Sequence, residues 1–302
     1  MAKRVEEFRV EGGGWRSLVT VGGKEFFSKD QVQANRGVLS DDAGYLTRFH
    51  IPFDVSSDSN VGEIKIYNLS AENVAVFKRN QPVRLEAGYH PFEKHRELVL
   101  DGVIEDLIVE PLDKVTRVLT IQMGDATDRW PVRTTTRAFG PGVLASVVAR
   151  DLIAAAGLAV GKIDPTVDPV YRKGLSLVGA IRPELETVAK DMHSKLHVSR
   201  GKVYILRPDK GIPSGVTLSA ENGLLAAQPA MALPSDFQYV EDWHPGEKPQ
   251  VYEVRALLTP KLWADSEFDL DGCNLQGKFR VVAGSHDCTG RDFLTTVRVA
   301  EA

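Results

Sequence analysis

Alternation of apolar and polar residues at both ends of the chain constrains its fold more than any other feature. In residues 62–70, Ile64 and Ile66 alternate with Lys65 and Tyr67, and Asn68 continues the apolar side of the pattern. A period of two turns one face of a strand towards a core and the other towards solvent. The candidate strands of this first region are "GEIKIYNLS" (62–70), "QPVRLEAGY" (81–89), "ELVLDGVIEDLIVEP" (97–111) and "VTRVLTIQMGD" (115–125).

A short helix is predicted between the first two of these strands. Ser70 can cap the segment "AENVAVFKRN", in which Val74 and Phe77 share one face. One short helix and a meander of long strands together predict a small β-barrel or sandwich over residues 1–135.

The middle of the chain, residues 136–211, shows helical spacing instead. Apolar residues in "VLASVVARDLIAAAG" (143–157) recur at helical intervals, and Gly157 follows as a C-terminal cap. A second helix is predicted to have Pro183 at its first position and to run into a hairpin that turns at Arg200 and Gly201. The pattern indicates a helix–helix–hairpin module.

The last region, residues 212–302, again favours strands separated by turn-forming residues. Its candidate strands are "FQYVEDW" (237–243), "QVYEVRALLT" (250–259), "GKFRVVAGSHD" (277–287) and "DFLTTVRVAEA" (292–302). The predicted fold class is therefore mainly β with an α/β insert. Two small barrel-like domains, 1–135 and 212–302, are expected to flank the module of residues 136–211.

Composition excludes several classes of function. The net charge of −4 offers no general attraction to nucleic acid or to an anionic membrane surface, so we expect no specific nucleic-acid binding. No segment approaches the ~20 apolar residues of a membrane span. The N-terminal segment lacks the apolar core of a signal peptide, and only two cysteines are present, so we expect folding in a cytoplasm without a disulfide scaffold.

The segment "EFDLDG" (267–272) resembles the start of a calcium loop. Glu267, Asp269 and Asp271 would occupy positions one, three and five, with Gly272 at six. Position twelve requires a bidentate carboxylate, but Lys278 stands there, and its charge would oppose a cation. We therefore predict a strand that enters a turn.

Two groups of residues could be considered for zinc. His193 and His197 are spaced one helical turn apart, but no third ligand follows, so a solvent-facing pair is predicted.

Cys273, His286 and Cys288 form the second group, in which two facing strands could bring the side chains together. Structural zinc takes four ligands, and no CxxC spacing supplies the fourth. Ordinary strand thiols are predicted, with a disulfide only outside a reducing cytoplasm.

Nucleophilic and phosphate-binding motifs are absent from the sequence. There is no G-x-S-x-G elbow, no P-loop and no dinucleotide fingerprint. The glycines of "EGGGW" (11–15) precede no helix, and Asp41 and Asp42 lie in a predicted loop. A glycosidase needs two carboxylates on opposite sides of a cleft, which a single sequence does not exclude. No motif in this sequence points to a particular pair. We predict no catalytic, cofactor-binding or metal-binding residues, no cofactor and no enzymatic activity.

Several ordered segments resemble the baseplate hub proteins of contractile-tailed bacteriophages, within the late-control and hub group of tail proteins. The resemblance covers most of residues 45–302. The first 44 residues do not align with the family, and the segment "AENGLLAAQP" differs from the family's pattern. The segments that carry it are "NVGEIKIYNLSAENVAVFKRNQPVRLEAGY" (60–89), "LDGVIEDLIVEP" (100–111), "GPGVLASVVARDLIAAAGL" (140–158), "RPELETVAKDMHSKLHVSRGKVYILRPDKG" (182–211), "LSAENGLLAAQP" (218–229), "VRALLTPKLWADSEFDLDG" (254–272) and "GKFRVVAGSHDCTGRDFLTTVRV" (277–299).

The resemblance implies a structural homotrimer without catalysis, located in the tail baseplate of the virion and assembled in the host cytoplasm. Such a ring adapts a sixfold tail tube to a threefold central spike. The implied partners are further copies of the chain, the tail tube or tube initiator, the spike and other baseplate or wedge proteins. A distal tail or tube-initiator ring protein is the first alternative, and a glycan-cleaving tail enzyme is the second.

Overall fold

The computed structural model describes residues 15–29, 44–56, 60–89, 92–125, 133–231, 250–289 and 292–302. The described helices are α1 (Ala71–Val74), α2 (Phe92–His95), α3 (Ala145–Ala156) and α4 (Ile181–Asp191). The described strands are β1 (Trp15–Val21), β2 (Lys24–Phe27), β3 (Thr47–Asp54), β4 (Val61–Tyr67), β5 (Pro82–Tyr89), β6 (Glu97–Pro111), β7 (Arg117–Gly124), β8 (Thr134–Phe139), β9 (Val143–Leu144), β10 (Ala159–Asp164), β11 (Val170–Tyr171), β12 (Leu175–Ala180), β13 (Lys195–Ser199), β14 (Lys202–Leu206), β15 (Ile212–Ser219), β16 (Leu224–Ala230), β17 (Val251–Leu257), β18 (Ser266–Gly272), β19 (Leu275–Cys288) and β20 (Phe293–Glu301).

The predicted fold class is confirmed, because strands outnumber helices by far and the longer helices lie in the middle of the chain. The strands of both β regions form one 13-stranded sheet, whose main path runs β16-β17-β20-β19-β3-β4-β7-β6-β5-β1-β2. Antiparallel pairing of β3 with β19 joins the N-terminal half of this path to the C-terminal half.

The alternating sequence of the predicted strand 292–302 produces alternating burial in β20, where Phe293, Thr295 and Val297 are buried. β3, "TRFHIPFD", is not among the predicted strands, but every second side chain in it is also buried. One hydrophobic core runs through both β regions, and a second core belongs to the insert. The boundaries at residues 135 and 212 as limits of independent domains stay a prediction.

The first predicted helix is shorter than expected. The helix spans only Ala71–Val74, although Ser70 Oγ accepts a hydrogen bond from Asn73 N and so caps it as predicted. The chain then turns so that Phe77 reaches the sheet core, and Asn80 adopts a positive φ of 65°. Burial of the Phe77 ring therefore overrides continuation of the helix. Asn68 also has a positive φ and lies outside β4.

The helices of the insert match the prediction except at one boundary. α3 ends at Gly157, whose φ of 75° is the left-handed conformation expected of a glycine cap. α4 begins at Ile181, so the placement of Pro183 at its first position is wrong by two residues. Pro183 still lies in the first turn, where backbone N–H groups have no helical partner and proline costs no hydrogen bond.

The predicted hairpin is confirmed, with Arg200 and Gly201 between β13 and β14 at φ values of 51° and 70°. The predicted strand 237–243 lies outside the described residues. In the part of the chain that is described, no helix has both the length and the apolar character that membrane crossing requires.

Candidate functional site

The acidic alternation of residues 267–272 lies on β18, which confirms the strand interpretation. Phe268 and Leu270 are buried, whereas Asp269 is exposed on the other face. Pairing of β18 with β19 places Lys278 directly opposite Asp269. Lys278 is therefore a cross-strand neighbour of opposite charge to this carboxylate.

The two histidines of the insert lie in different environments, and the prediction of a solvent-facing pair is wrong for His197. His193 is exposed in the turn after α4, but His197 lies on β13 with 1% of its surface exposed. Its ring stacks on Tyr204 with the centroids 5.0 Å apart. Burial, together with the nearby Lys195 ammonium, lowers the pKa of His197 to about 3, so the ring is neutral at pH 7.

Cys273, His286 and Cys288 are not brought together. Cys273 is exposed in the turn before β19, whereas the other two are buried at the far end of that strand. The 13 steps from the first to the last residue of β19 span roughly 40 Å at ~3.3 Å per residue. His286 packs instead against Phe53 and Trp263, with centroid distances of 4.9 and 5.3 Å. Its role is core packing.

The remaining candidates for chemistry were Asp41, Asp42 and the glycines of residues 12–14. All of them lie outside the described residues. Within the described ranges, no group of three or more His, Cys, Asp or Glu side chains is placed to hold a metal ion. What the structure does assemble is a polar junction that fixes the insert to the sheet.

A buried ion cluster connects the insert to the C-terminal β region. Asp265 is 0% exposed, and its Oδ1 accepts hydrogen bonds from Lys195 Nζ at 2.5 Å and Arg280 Nε at 2.7 Å. Arg280 also donates to the carbonyl oxygens of Pro208 and Lys210, at 2.8 and 2.6 Å. One guanidinium thus anchors the segment that leaves the insert, while Lys195 anchors the hairpin to the same carboxylate.

The cluster depends on every one of its charges. Burial raises the pKa of the Asp265 carboxyl, and the Lys195 ammonium acts in the opposite direction. Arg280, which is 1% exposed, favours the charged carboxylate by the same Coulombic attraction. Removing either cation leaves a buried carboxylate without full compensation, which is far more costly than replacing all of the charges together.

A second polar contact connects the hairpin to the N-terminal β region. Asp125 Oδ2 accepts the backbone N–H of Arg200 at 2.8 Å and the side-chain amide of Asn60 at 3.1 Å, and its Oδ1 accepts Asn60 N at 2.9 Å. The Asn60 amide also donates to the carbonyl oxygen of Val198 at 3.4 Å. The turn of the hairpin is therefore held by residues from two distant parts of the chain.

The Arg200 side chain completes the junction on the C-terminal side. Its guanidinium lies 4.5 Å from the ring centroid of Trp263 and donates to the carbonyl oxygen of Pro260. Trp263 in turn stacks on Phe53 of the central strand β3, with centroids 4.4 Å apart. Burial lowers the pKa of Arg200 to about 10, which leaves it charged at pH 7. The hairpin β13–β14 thus fixes the insert relative to both β regions.

The hairpin of β6 and β7 extends beyond the sheet as an exposed projection, called the arm (residues 107–117). Every residue from 108 to 115 is exposed, and among the described residues no element covers either face of this part of the hairpin. The exposed apolar side chains of the arm are Ile108, Val109, Leu112 and Val115. Backbone N–H groups of Val115 and Thr116 donate to Asp113 and lower its pKa, so this carboxylate stays charged beside the exposed Lys114 at the tip.

The insert carries a second exposed apolar surface, called the insert patch. Leu144 and Val170 are partners in the β9–β11 ladder, and Val147 lies one turn further along α3. Exposed cations border this apolar centre, with Arg150 one turn beyond Val147 and with Arg172 and Lys173 in the turn after β11. The insert patch comprises Leu144, Val147, Val170, Arg150, Arg172 and Lys173.

Sequence reasoning missed the junction and both exposed surfaces. Lys195 and Asp265 are 70 residues apart, so no local spacing indicates their contact. Two features of the sequence could have indicated the exposed surfaces. Residues 107–109 are three consecutive apolar residues where alternation fails. Residues 136–211 contain 12 Lys and Arg against 7 Asp and Glu, a charge of +5, whereas the rest of the chain has 25 against 34, a charge of −9.

Comparison with solved structures gives matches along nearly the whole chain. A 43 kDa tail protein of prophage MuSo2 from Shewanella oneidensis matches with a TM-score of 0.63 and 13% identity, over 95% of this chain and 96% of that one. The fold is that of phage tail proteins. A tail protein from Neisseria meningitidis MC58 gives 0.62 and 12%, over 95% and 97% of the two chains.

The same fold occurs in secretion machinery. The c3393 protein of E. coli, a type VI secretion component structurally similar to the T4 bacteriophage tail proteins gp27 and gp5, matches with a TM-score of 0.57 and 10% identity, over 94% and 76% of the chains. No protein-family model matches the sequence, and no curated protein matches it either.

Proposed function

We propose that this chain is a structural protein of a bacteriophage tail and that it forms a homotrimeric baseplate hub. The observation that carries the proposal is the tail-protein fold shared over 95% of the chain and 96% of its structural neighbour. The sequence resemblance to hub proteins, found from ordered segments along residues 45–302, supports the same assignment. The proposed task is to adapt a sixfold tail tube to a threefold central spike.

The arrangement of the sheet supports this task physically. Each chain carries two β regions joined by the β3–β19 pairing, so three chains present six β regions in one ring. A ring of this kind offers roughly equivalent surfaces to a hexameric neighbour on one side and true threefold surfaces on the other. The junction centred on Asp265 holds the insert in a fixed position on this ring.

The proposed partners are further copies of the chain, the tail tube or tube initiator, the central spike, and other baseplate and wedge proteins. The proposed location is the baseplate of the virion tail, with assembly in the host cytoplasm. The proposed role is non-enzymatic and requires no cofactor.

Class averaging of negatively stained protein, alone and mixed with the spike protein of the same phage, tests the proposal. We expect threefold rings with six similar β densities and a solution mass near three times 33.2 kDa, about 100 kDa. True sixfold rings would identify a distal tail or tube-initiator protein instead. Monomers in both samples would contradict the trimeric hub.

An activity assay tests the non-enzymatic part of the proposal. Purified protein on a peptidoglycan zymogram is expected to leave no cleared band. Clearing that survives repurification and is lost in an acidic-residue variant would replace the structural role with a glycan-cleaving one.

A further inference from the structure

The insert and the sheet have separate hydrophobic cores, and polar contacts join the two. Among the described residues, the buried apolar side chains of each form a cluster of their own. No helix or strand described in the insert packs broadly on a strand of the sheet. The hairpin β13–β14 and the segment after it are held instead by hydrogen bonds and ion pairs to Asp125, Asp265 and Arg280. Opening of this junction therefore costs far less apolar burial than unfolding of either core.

His197 lies in this junction as a buried titratable group. Its ring is 1% exposed, and among the described side chains and backbone groups none forms a hydrogen bond with Nδ1 or Nε2. Asp265 Oδ2 faces Nδ1 at 3.9 Å, which is longer than a hydrogen bond, and within the described ranges this oxygen also accepts no hydrogen bond. The site therefore holds the ring in place without a partner that stabilises a second proton on it.

The charges around His197 balance while the ring is neutral. Two cations and two carboxylates lie around the ring and the neighbouring Asp265, together with one phenol. Protonation of the ring adds a positive charge that this set does not compensate, at a position from which water is excluded. The groups are Lys195 on β13, Tyr204 on β14, Asp265 before β18, Glu267 on β18 and Arg280 on β19.

We propose that the junction is an acid-sensitive switch, in which protonation of His197 releases the insert from the sheet while the sheet stays folded. In the open state the hairpin has left the sheet, so water surrounds the imidazolium. The ring takes one proton from solvent at its unprotonated nitrogen, and no covalent bond between residues changes. Every group in the switch belongs to one chain, so the inference goes beyond the proposed trimer and does not depend on it.

The pKa of His197 agrees with the direction of the switch. Burial, with the Lys195 ammonium, lowers this pKa to about 3 in the closed junction, whereas a solvated histidine has a pKa of ~6.5. Opening therefore takes up a proton at pH values between these two. The equilibrium constant for opening should rise about tenfold for each pH unit between pH 6 and 3.5. At pH 7 and above, the ring is neutral in both states and the switch stays closed.

Two tryptophans of the chain separate opening of the junction from unfolding of the sheet. Trp263 lies under the Arg200 guanidinium of the hairpin turn, 4.5 Å from its ring centroid, and loses this contact when the hairpin leaves. Trp15 stacks on Phe293 within the sheet, with centroids 5.3 Å apart. The experiment is fluorine NMR of the full chain labelled with 5-fluorotryptophan, with signals assigned by single Trp→Phe variants. As the pH falls from 7 to 3.5, the Trp263 signal should change at a higher pH than the Trp15 signal.

Histidine variants identify the group that operates the switch. His197→Phe has no titratable ring and should move the Trp263 transition at least about one pH unit lower. His197→Gln is neutral at every pH and should do the same, which keeps the test valid if the phenylalanine variant does not fold. His193→Asn is the matched control, because His193 is exposed in the same insert and asparagine tolerates its positive φ of 48°. It should behave as wild type.

Two results would overturn the inference. In the first, the signals of Trp263 and Trp15 change together in wild type, so that the insert is released only when the sheet unfolds. In the second, wild type and the His197 variants show the Trp263 transition at the same pH, so that another group controls opening. Both results leave the proposed hub standing, because ring stoichiometry decides the hub at neutral pH, where the switch is closed.

Discussion

Replacing Arg280 with methionine tests whether the buried cluster stabilises the insert–sheet junction. Methionine has a similar length and fills the site, but it removes the hydrogen bonds to Asp265, Pro208 and Lys210. Asp265 keeps only Lys195 as a hydrogen-bonded cation, and two backbone carbonyl oxygens lose their donor.

The size of the effect follows from this geometry. Breaking a buried ion pair from one side costs about 3–5 kcal/mol, because the remaining charge is left uncompensated. Each carbonyl left unpaired adds about 1–3 kcal/mol if water does not reach it. We expect Arg280→Met to lower the free energy of unfolding by at least about 3 kcal/mol, a large share of the ~5–15 kcal/mol typical of folded proteins.

Urea unfolding followed by far-ultraviolet circular dichroism measures this change without the ionic strength that guanidinium adds. Arg255→Met is the matched control, because Arg255 lies exposed on β17 of the same sheet, separated from β19 by β20, and its replacement should change stability by less than about 0.5 kcal/mol. Asp265→Asn in the Arg280→Met background should recover part of the loss, since it removes the uncompensated charge. A loss below about 1 kcal/mol for Arg280→Met, with no recovery in the double variant, would refute the cluster as a stabilising junction.

Three further predictions concern other parts of the chain. The pKa of His197 is lowered to about 3 in the folded state, so the neutral ring's contribution to the free energy of unfolding is fully present above the ordinary pKa of ~6.5 and is lost as pH falls. The free energy of unfolding of wild type should therefore fall by about 1.4 kcal/mol per pH unit between pH 6 and 3.5, relative to His197→Phe. Urea unfolding at each pH measures this difference. A Cβ on Gly102 would overlap the carbonyl oxygen of Gly124, so Gly102→Ala should lower the free energy of unfolding by about 1–3 kcal/mol, measured by thermal unfolding. Gly140→Ala is the control, because a Cβ on Gly140 has no atom within 4 Å and the loss of stability should be far smaller. The arm variant Leu112→Ser/Val115→Ser should keep the stability of the unassembled chain within about 1 kcal/mol by urea unfolding, because both side chains are exposed; a larger loss would show that the arm packs within its own chain.

The elements that were predicted well are those in which a local pattern and its burial agree. β18 and β20 follow from alternation, and the end of α3 follows from a glycine that can take a positive φ. The errors arise where tertiary packing overrides local preference. α1 stops early because Phe77 is drawn into the core, and His197 is buried where its ring stacks on Tyr204, its cross-strand partner on β14.

The sequence by itself determined the mainly β fold class, the helical insert between two β regions and the absence of recognisable catalytic motifs. Each of these depends on periods and spacings within about ten residues, which local chemistry controls. Only the tertiary structure decided the β3–β19 pairing, the cluster that joins Lys195, Asp265 and Arg280, and the exposure of the arm and the insert patch. These features join residues far apart in the chain, and their contacts exist only once the sheet has brought those residues together.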